Sequence, residues 1–164
     1  MSTDCIEKKI LLRAPRSRVW RAISDPEQFG AWFGVKVEGP FTPGTALCGR
    51  LVGTQVNEEI AAAQRQYAHM PFEMVVDRVE PEHRFSFRWH PFAVEEGVDY
   101  SGEPMTLVTF SLEETPEGVL VTVTESGFDQ IPIERRARAF AANEGGWSVV
   151  ITLLDTYVSQ PDQS

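Results

Sequence analysis

The sequence predicts an α+β domain in which an antiparallel sheet wraps one long C-terminal helix around an apolar interior. Three observations lead there: four strand-like runs of alternating residues between Phe72 and Glu125, an apolar stripe of helical period from Pro132 to Val158, and two short helical signals after a first strand.

The first strand is expected over Ile6 to Leu12, where Ile6, Ile10 and Leu12 share one face and Lys8 interrupts it. Ala14-Pro15 then opens a helix, because proline is tolerated in a first turn, and Val19, Trp20 and Ile23 recur at helical spacing through Ser24. Ser24-Asp25-Pro26 reads as a stop and a new start, with Asp25 capping a second short helix that carries Phe29, Trp32 and Phe33. From Val35 the punctuation changes to Gly39-Pro40, Pro43-Gly44, Gly49 and Gly53, which is strand and turn chemistry. Asn57 to His69 breaks that rhythm with Ala61, Ala62, Ala63, Gln64 and Arg65, so a helical or mobile insertion is expected between two strands.

The runs Phe72 to Val79, Arg84 to His90, Met105 to Glu113 and Val119 to Glu125 are each bounded by Pro or Gly signals. Alternation puts Phe85, Phe87 and Trp89 on one side, and likewise Val108, Phe110 and Leu112, and Val119, Val121 and Val123, while Arg84, Arg88, Thr122 and Thr124 face away. One sheet face is thus predicted buried and the other wet. The last helix sets Phe140, Trp147, Val150, Ile151, Leu154, Tyr157 and Val158 on one stripe, long enough to cross the sheet and cover it. No repeat or linker divides the chain, so a single domain over 1–164 is expected, with its core at about 5–160.

Composition narrows the function. With 164 residues, 42% of them hydrophobic and 24% charged, the chain is an ordinary globular one. Acids outnumber bases 24 to 15, a net charge of −9 that repels nucleic-acid phosphates and disfavours stable association with anionic membranes. The local basic cluster Arg135, Arg136 and Arg138 reads as a solvated helix face. Met1 to Lys9 lacks the basic start and apolar stretch of a secretion signal, and Cys5 and Cys48 suggest no disulfide framework, so a cytoplasmic location is expected.

Several stretches, in order, resemble a known family. They are Val19-Trp20-Arg21-Ala22-Ile23-Ser24-Asp25-Pro26 with Ala31-Trp32-Phe33-Gly34, then Val79-Glu80-Pro81 with Arg84-Phe85-Ser86-Phe87-Arg88-Trp89. Val108-Thr109-Phe110-Ser111-Leu112-Glu113 follows, leading through Gly118 to Ser126-Gly127-Phe128, and last come Gly146-Trp147 with Leu153 and Leu154. Together they resemble the START/Bet v 1-like (SRPBCC) superfamily, in the branch related to the C-terminal domain of the activator of Hsp90 ATPase. The resemblance implies a helix-grip fold, in which a curved sheet and the long helix enclose a cavity. The stretch Asn57 to Met70 and the acidic stretch Glu95 to Glu103 are least like the family core. The family implies no universal catalytic set, and with the first strand expected near residue 5, the Hsp90-binding domain that precedes this one in eukaryotic activators is not expected here.

Chemical motifs are few. His69, His83 and His90 are scattered without ligand spacing, so no metal is expected, and Pro43-Gly44-Thr45 is a turn rather than a phosphate loop, so no nucleotide cofactor is expected. On the last helix, Asn143 and Glu144 share a sector with Phe140 and Trp147. If Glu144 faces inward it needs a wet, polar-lined cavity; otherwise it lies at the helix edge and reaches solvent. Gly145-Gly146 weakens the helix by roughly 1 kcal/mol per glycine, which suggests a close backbone approach or a bend.

The cavity candidates are therefore the aromatic residues Trp32, Phe33, Phe72, Phe87, Trp89, Phe128, Phe140 and Trp147 with the polar residues His90, Asn143 and Glu144. Each ring alone reads first as core filling. The leading expectation is uptake of a small apolar or amphipathic molecule, its polar end oriented by Glu144, Asn143 or His90. An enzyme of the same fold using Glu144 or His90 as acid or base, and an Hsp90-type chaperone accessory, are the alternatives. A homo-oligomer is compatible with the sequence, which leaves the oligomeric state open.

Overall fold

A computed structural model of the chain describes residues 5–91, 99–100 and 102–160. Of the acidic stretch Glu95 to Glu103, residues 95–98 and 101 lie outside the described residues.

The elements follow in chain order. Strand β1 (Cys5–Leu12) leads into helices α1 (Arg16–Ser24) and α2 (Pro26–Phe33), and then into the short strands β2 (Val35–Val37) and β3 (Ala46–Leu51). Helix α3 (Glu58–Gln64) and a 3-10 turn (Arg65–Tyr67) form the predicted insertion. Four longer strands come next: β4 (Pro71–Glu80), β5 (Arg84–Trp89), β6 (Thr106–Thr115) and β7 (Gly118–Ser126). A 3-10 turn (Phe128–Gln130) then opens onto helix α4 (Ile133–Val158). The seven strands make one antiparallel sheet in the order β1-β7-β6-β5-β4-β3-β2, so the first strand crosses over to pair with the last.

Local chemistry explains the boundaries. Pro15 stands at the N-terminal cap of α1, and the Asp25 carboxylate accepts the Gln28 amide at 3.0 Å to start α2. Helix α2 stops at Gly34, whose φ of 98° lies in the left-handed region, and the Gly34 carbonyl then accepts the amides of Val52 and Gly53. The insertion is helical because Asn57 caps it, its side chain accepting the Ile60 amide at 3.0 Å. In β4 the register shifts between Val76 and Arg78, leaving Asp77 as an extra residue whose carboxylate accepts the buried Ser86 hydroxyl at 2.9 Å. A bulge of this kind bends its strand, and here it helps curve the sheet toward α4.

The concave face and α4 share the core. Phe85, Phe87, Val108, Phe110, Val121 and Val123 from the sheet are buried, as are Trp147, Ile151, Leu153, Leu154 and Val158 from the helix. The cation that the last turn of α4 lacks comes from α1: Arg18, only 7% exposed, donates to the carbonyls of Tyr157 (3.2 Å) and Gln160 (3.4 Å) and lies 5.0 Å over the Tyr157 ring. No described helix is long and apolar enough to cross a membrane.

Of the two readings of Gly145-Gly146, a close backbone approach or a bend, the first is corrected. A Cβ added at Gly145 or Gly146 would meet nothing within 4 Å, and both residues are exposed, so no backbone approaches the helix there. The glycine pair sits on the outer side of α4, one step away from the face that carries Trp147.

Candidate functional site

The site forms where the C-terminal ends of β5 and β7 pass beneath the middle of α4. Residues Val119, Val121 and Val123 alternate inward along β7, and the next position of that parity is Glu125. Its side chain is 0% exposed. On β6 the inward series Val108, Phe110 and Leu112 extends back in the same way to Thr106, also fully buried.

Glu125 is held by donors from three elements. Its Oε1 accepts the indole N–H of Trp147 at 2.8 Å, and its Oε2 accepts the indole N–H of Trp89 at 2.8 Å and the hydroxyl of Thr106 at 2.6 Å. The Asn143 amide, one turn before Trp147 on α4, donates to both oxygens at 3.0 Å. Burying a carboxylate costs several kcal/mol unless its lone pairs are satisfied, and here every partner is a donor. Among the described residues no basic side chain pairs with it. The negative charge is therefore met by dipoles rather than by a counter-ion.

Around this acid the rings are contiguous. Phe33, Trp89 and Trp147 form a triangle with centroid separations of 5.8 Å (Phe33 to Trp89), 5.9 Å (Phe33 to Trp147) and 5.8 Å (Trp89 to Trp147). Phe72 and Phe87 flank Trp89 at 6.0 and 5.3 Å, and Phe110 meets Trp147 at 5.8 Å. These are contact distances for tilted and edge-to-face rings. Trp147 is 4% exposed and Phe72 7%, whereas Phe33 and Trp89 are partly buried rings packed against the core.

The other predicted site residues fall in different places. Trp32 is core, its N–H donated to the Ala22 carbonyl at 2.8 Å and its ring packed edge to face on Phe29 and Phe110. Phe128 and Phe140 pair with each other at 5.1 Å beside the start of α4. His90 Nε2 lies 3.1 Å from the Glu103 carbonyl. Asn143 points inward, whereas Glu144 turns outward and binds Lys8 Nζ at 2.8 Å with its side chain 46% exposed. The helix-edge alternative for Glu144 thus describes its position, and Lys8, the break in the β1 pattern, is its partner.

The inward carboxylate is Glu125, a residue that sequence reasoning passed over although β7 alternation pointed to it. Among the described residues, no three His, Cys, Asp or Glu side chains come together as a metal set. A separate open cleft of about 560 Å³ lies at the opposite end of β7, between the β1–α1 turn at Arg13 to Pro15 and the β6–β7 hairpin at Thr115 to Gly118.

Comparison with known proteins follows the same lines. The family model described as Activator of Hsp90 ATPase homolog 1-like protein matches residues 13–159. The chain superposes on a crystal structure of a protein from Mesorhizobium loti with a TM-score of 0.70 at 19% identity, covering 96% of this chain and 98% of that one. A solution structure of an Arthrobacter aurescens protein gives a TM-score of 0.72 at 19% identity, covering 97% and 88%. A putative protein in the dynemicin biosynthetic locus gives 0.65 at 25% identity, and there the chain covers 96% of itself but 48% of its neighbour. No curated protein matches the chain.

Proposed function

This chain belongs to the Activator of Hsp90 ATPase homolog 1-like family, and from that premise we propose that it binds a small apolar or amphipathic molecule where the sheet meets α4. The observation that carries the reading is the partial exposure of Phe33 and Trp89, two rings of the aromatic cluster that also holds the hydrogen-bonded group of Glu125, Thr106 and Asn143. Apolar walls with a few convergent polar groups are the usual make-up of a small-molecule site. The rings supply burial, and Asn143, the only half-buried member of the polar group, orients whatever rests there.

Native mass spectrometry of protein purified from its own host, followed by denaturing extraction, tests the reading. A reproducible apolar adduct is the expected result. An empty protein that also shows no thermal shift across a panel of lipids and aromatic metabolites would overturn it.

The family's description favours a second reading, an accessory to an Hsp90-type chaperone. It predicts that the chain stimulates the ATPase of an Hsp90 from the same cell, and an unchanged hydrolysis rate at saturating chain would remove it.

A further inference from the structure

We infer that the partly exposed rings of Phe33 and Trp89 seat an alkylated, positively charged nitrogen, so that the ligands of this site are organic cations or amphiphiles with a cationic head. The inference rests on the ligand-binding reading above and adds the charge of the ligand.

It starts from the imbalance at Glu125. The five hydrogen bonds to this carboxylate come from neutral donors, so they stabilise its charge without cancelling it, and the field in the surrounding low-dielectric cluster stays negative. Two of those donors are the indole N–H groups of Trp89 and Trp147. An N–H that donates to an anion is polarised toward it, which leaves the ring more electron-rich and its face more negative. Tryptophan faces are already the best aromatic partners of cations. Because the carboxylate is sealed from solvent, a ligand meets its charge through the rings, at the exposed parts of Phe33 and Trp89.

The basic groups nearby do not oppose this. Arg135, which donates to the Pro91 carbonyl just beyond β5 at 2.8 Å, is ion-paired to Glu103 at 2.9 Å and lies 4.8 Å over the Tyr100 ring. His90 is engaged with the Glu103 carbonyl, and Lys8 with Glu144. A carboxylate ligand would bring a second negative charge beside Glu125, with which no basic side chain is paired among the described residues, whereas a net charge of −9 draws cations to the whole surface.

Three probes of similar shape separate charge from apolar burial: phenyltrimethylammonium, its neutral isostere tert-butylbenzene, and benzenesulfonate. Binding is read from the indole N–H resonance of Trp89 in the intact protein, and from that of Trp147, which shares the carboxylate, where Trp89 is replaced. Phenyltrimethylammonium is expected to bind at least about tenfold more tightly than tert-butylbenzene, with the anion weakest. Glu125→Gln should close the gap between cation and isostere, and so should Trp89→Phe, which keeps a ring but cuts its link to the carboxylate and stands in if the first variant does not fold. Equal binding of cation and isostere, a preference for the anion, or a gap that survives in a folded variant would overturn the inference while leaving a ligand site in place. No response at Trp89 to any of the three probes would overturn the inference, and with an empty host-purified protein the ligand-binding reading falls too.

Discussion

Glu125 on β7 and Trp147 on α4 meet at 2.8 Å, so the end of the strand and the middle of the helix that covers it are joined by a carboxylate and an indole N–H rather than by apolar contact alone. The rings around this bond are ordinary core residues by type. What sets the region apart is that they surround a carboxylate.

Removing that carboxylate should cost more than removing any one of its partners. Glu125→Ala leaves two indole N–H groups, an amide and a hydroxyl without their acceptor, and a loss of about 3 kcal/mol or more is expected in urea unfolding. Trp147→Phe keeps a ring and removes one donor, so about 1 to 2 kcal/mol is expected. Comparable losses for the two variants would mean that the network is packing and not polar in origin.

The Lys8 to Glu144 pair, though as short as the buried contacts at 2.8 Å, should matter little. With side chains 25% and 46% exposed, it is a screened surface bridge. A double-mutant cycle of Lys8→Ala and Glu144→Ala is expected to give a coupling of about 0.5 kcal/mol that shrinks as salt is raised. A salt-independent coupling several times larger would place Glu144 back among the structural determinants of the interior.

These two acids also mark what the sequence could and could not reveal. The order of elements, the inward faces of the strands and the α4 stripe were legible because alternation and helical period are strong over many residues. Glu125 was legible by the same rule, as the next inward position after Val123, yet an acid at the end of a strand reads naturally as the exit to solvent. Only the fold shows Trp89, Thr106, Asn143 and Trp147 converging on it from three elements. Glu144 misled for the opposite reason: a helix sector is about as wide as the uncertainty in where its edge falls, and Lys8 was too distant in sequence to be seen as its partner.

Arg18 is expected to be a strong stability determinant despite its position on a short helix. It serves as the C-terminal cap of α4 from another element, and its guanidinium also covers the Tyr157 ring. Arg18→Ala should cost about 2 kcal/mol in chemical unfolding, and Arg18→Lys should recover only part of that, since an ammonium cannot reproduce the planar stack. Full recovery by lysine would reduce the role of Arg18 to its charge.

The glycine pair of α4 gives the opposite sign. Gly145 and Gly146 lie inside a helix that runs from Ile133 to Val158, a setting in which glycine costs about 1 kcal/mol relative to alanine because the unfolded chain gains so much freedom. A Cβ at either position would enter open space, so nothing in the fold resists the change. Gly145→Ala and Gly146→Ala should therefore each stabilise the protein by about 1 kcal/mol, read as a higher urea midpoint at unchanged slope. Gly49→Ala is the control with the reverse outcome: its Cβ would lie 2.0 Å from the Lys36 carbonyl oxygen on the neighbouring strand, so β2 and β3 would have to part, at a cost of about 1 to 3 kcal/mol. If the two helix variants instead lose stability, the space beside α4 at these positions is filled in solution and not open as the backbone describes it.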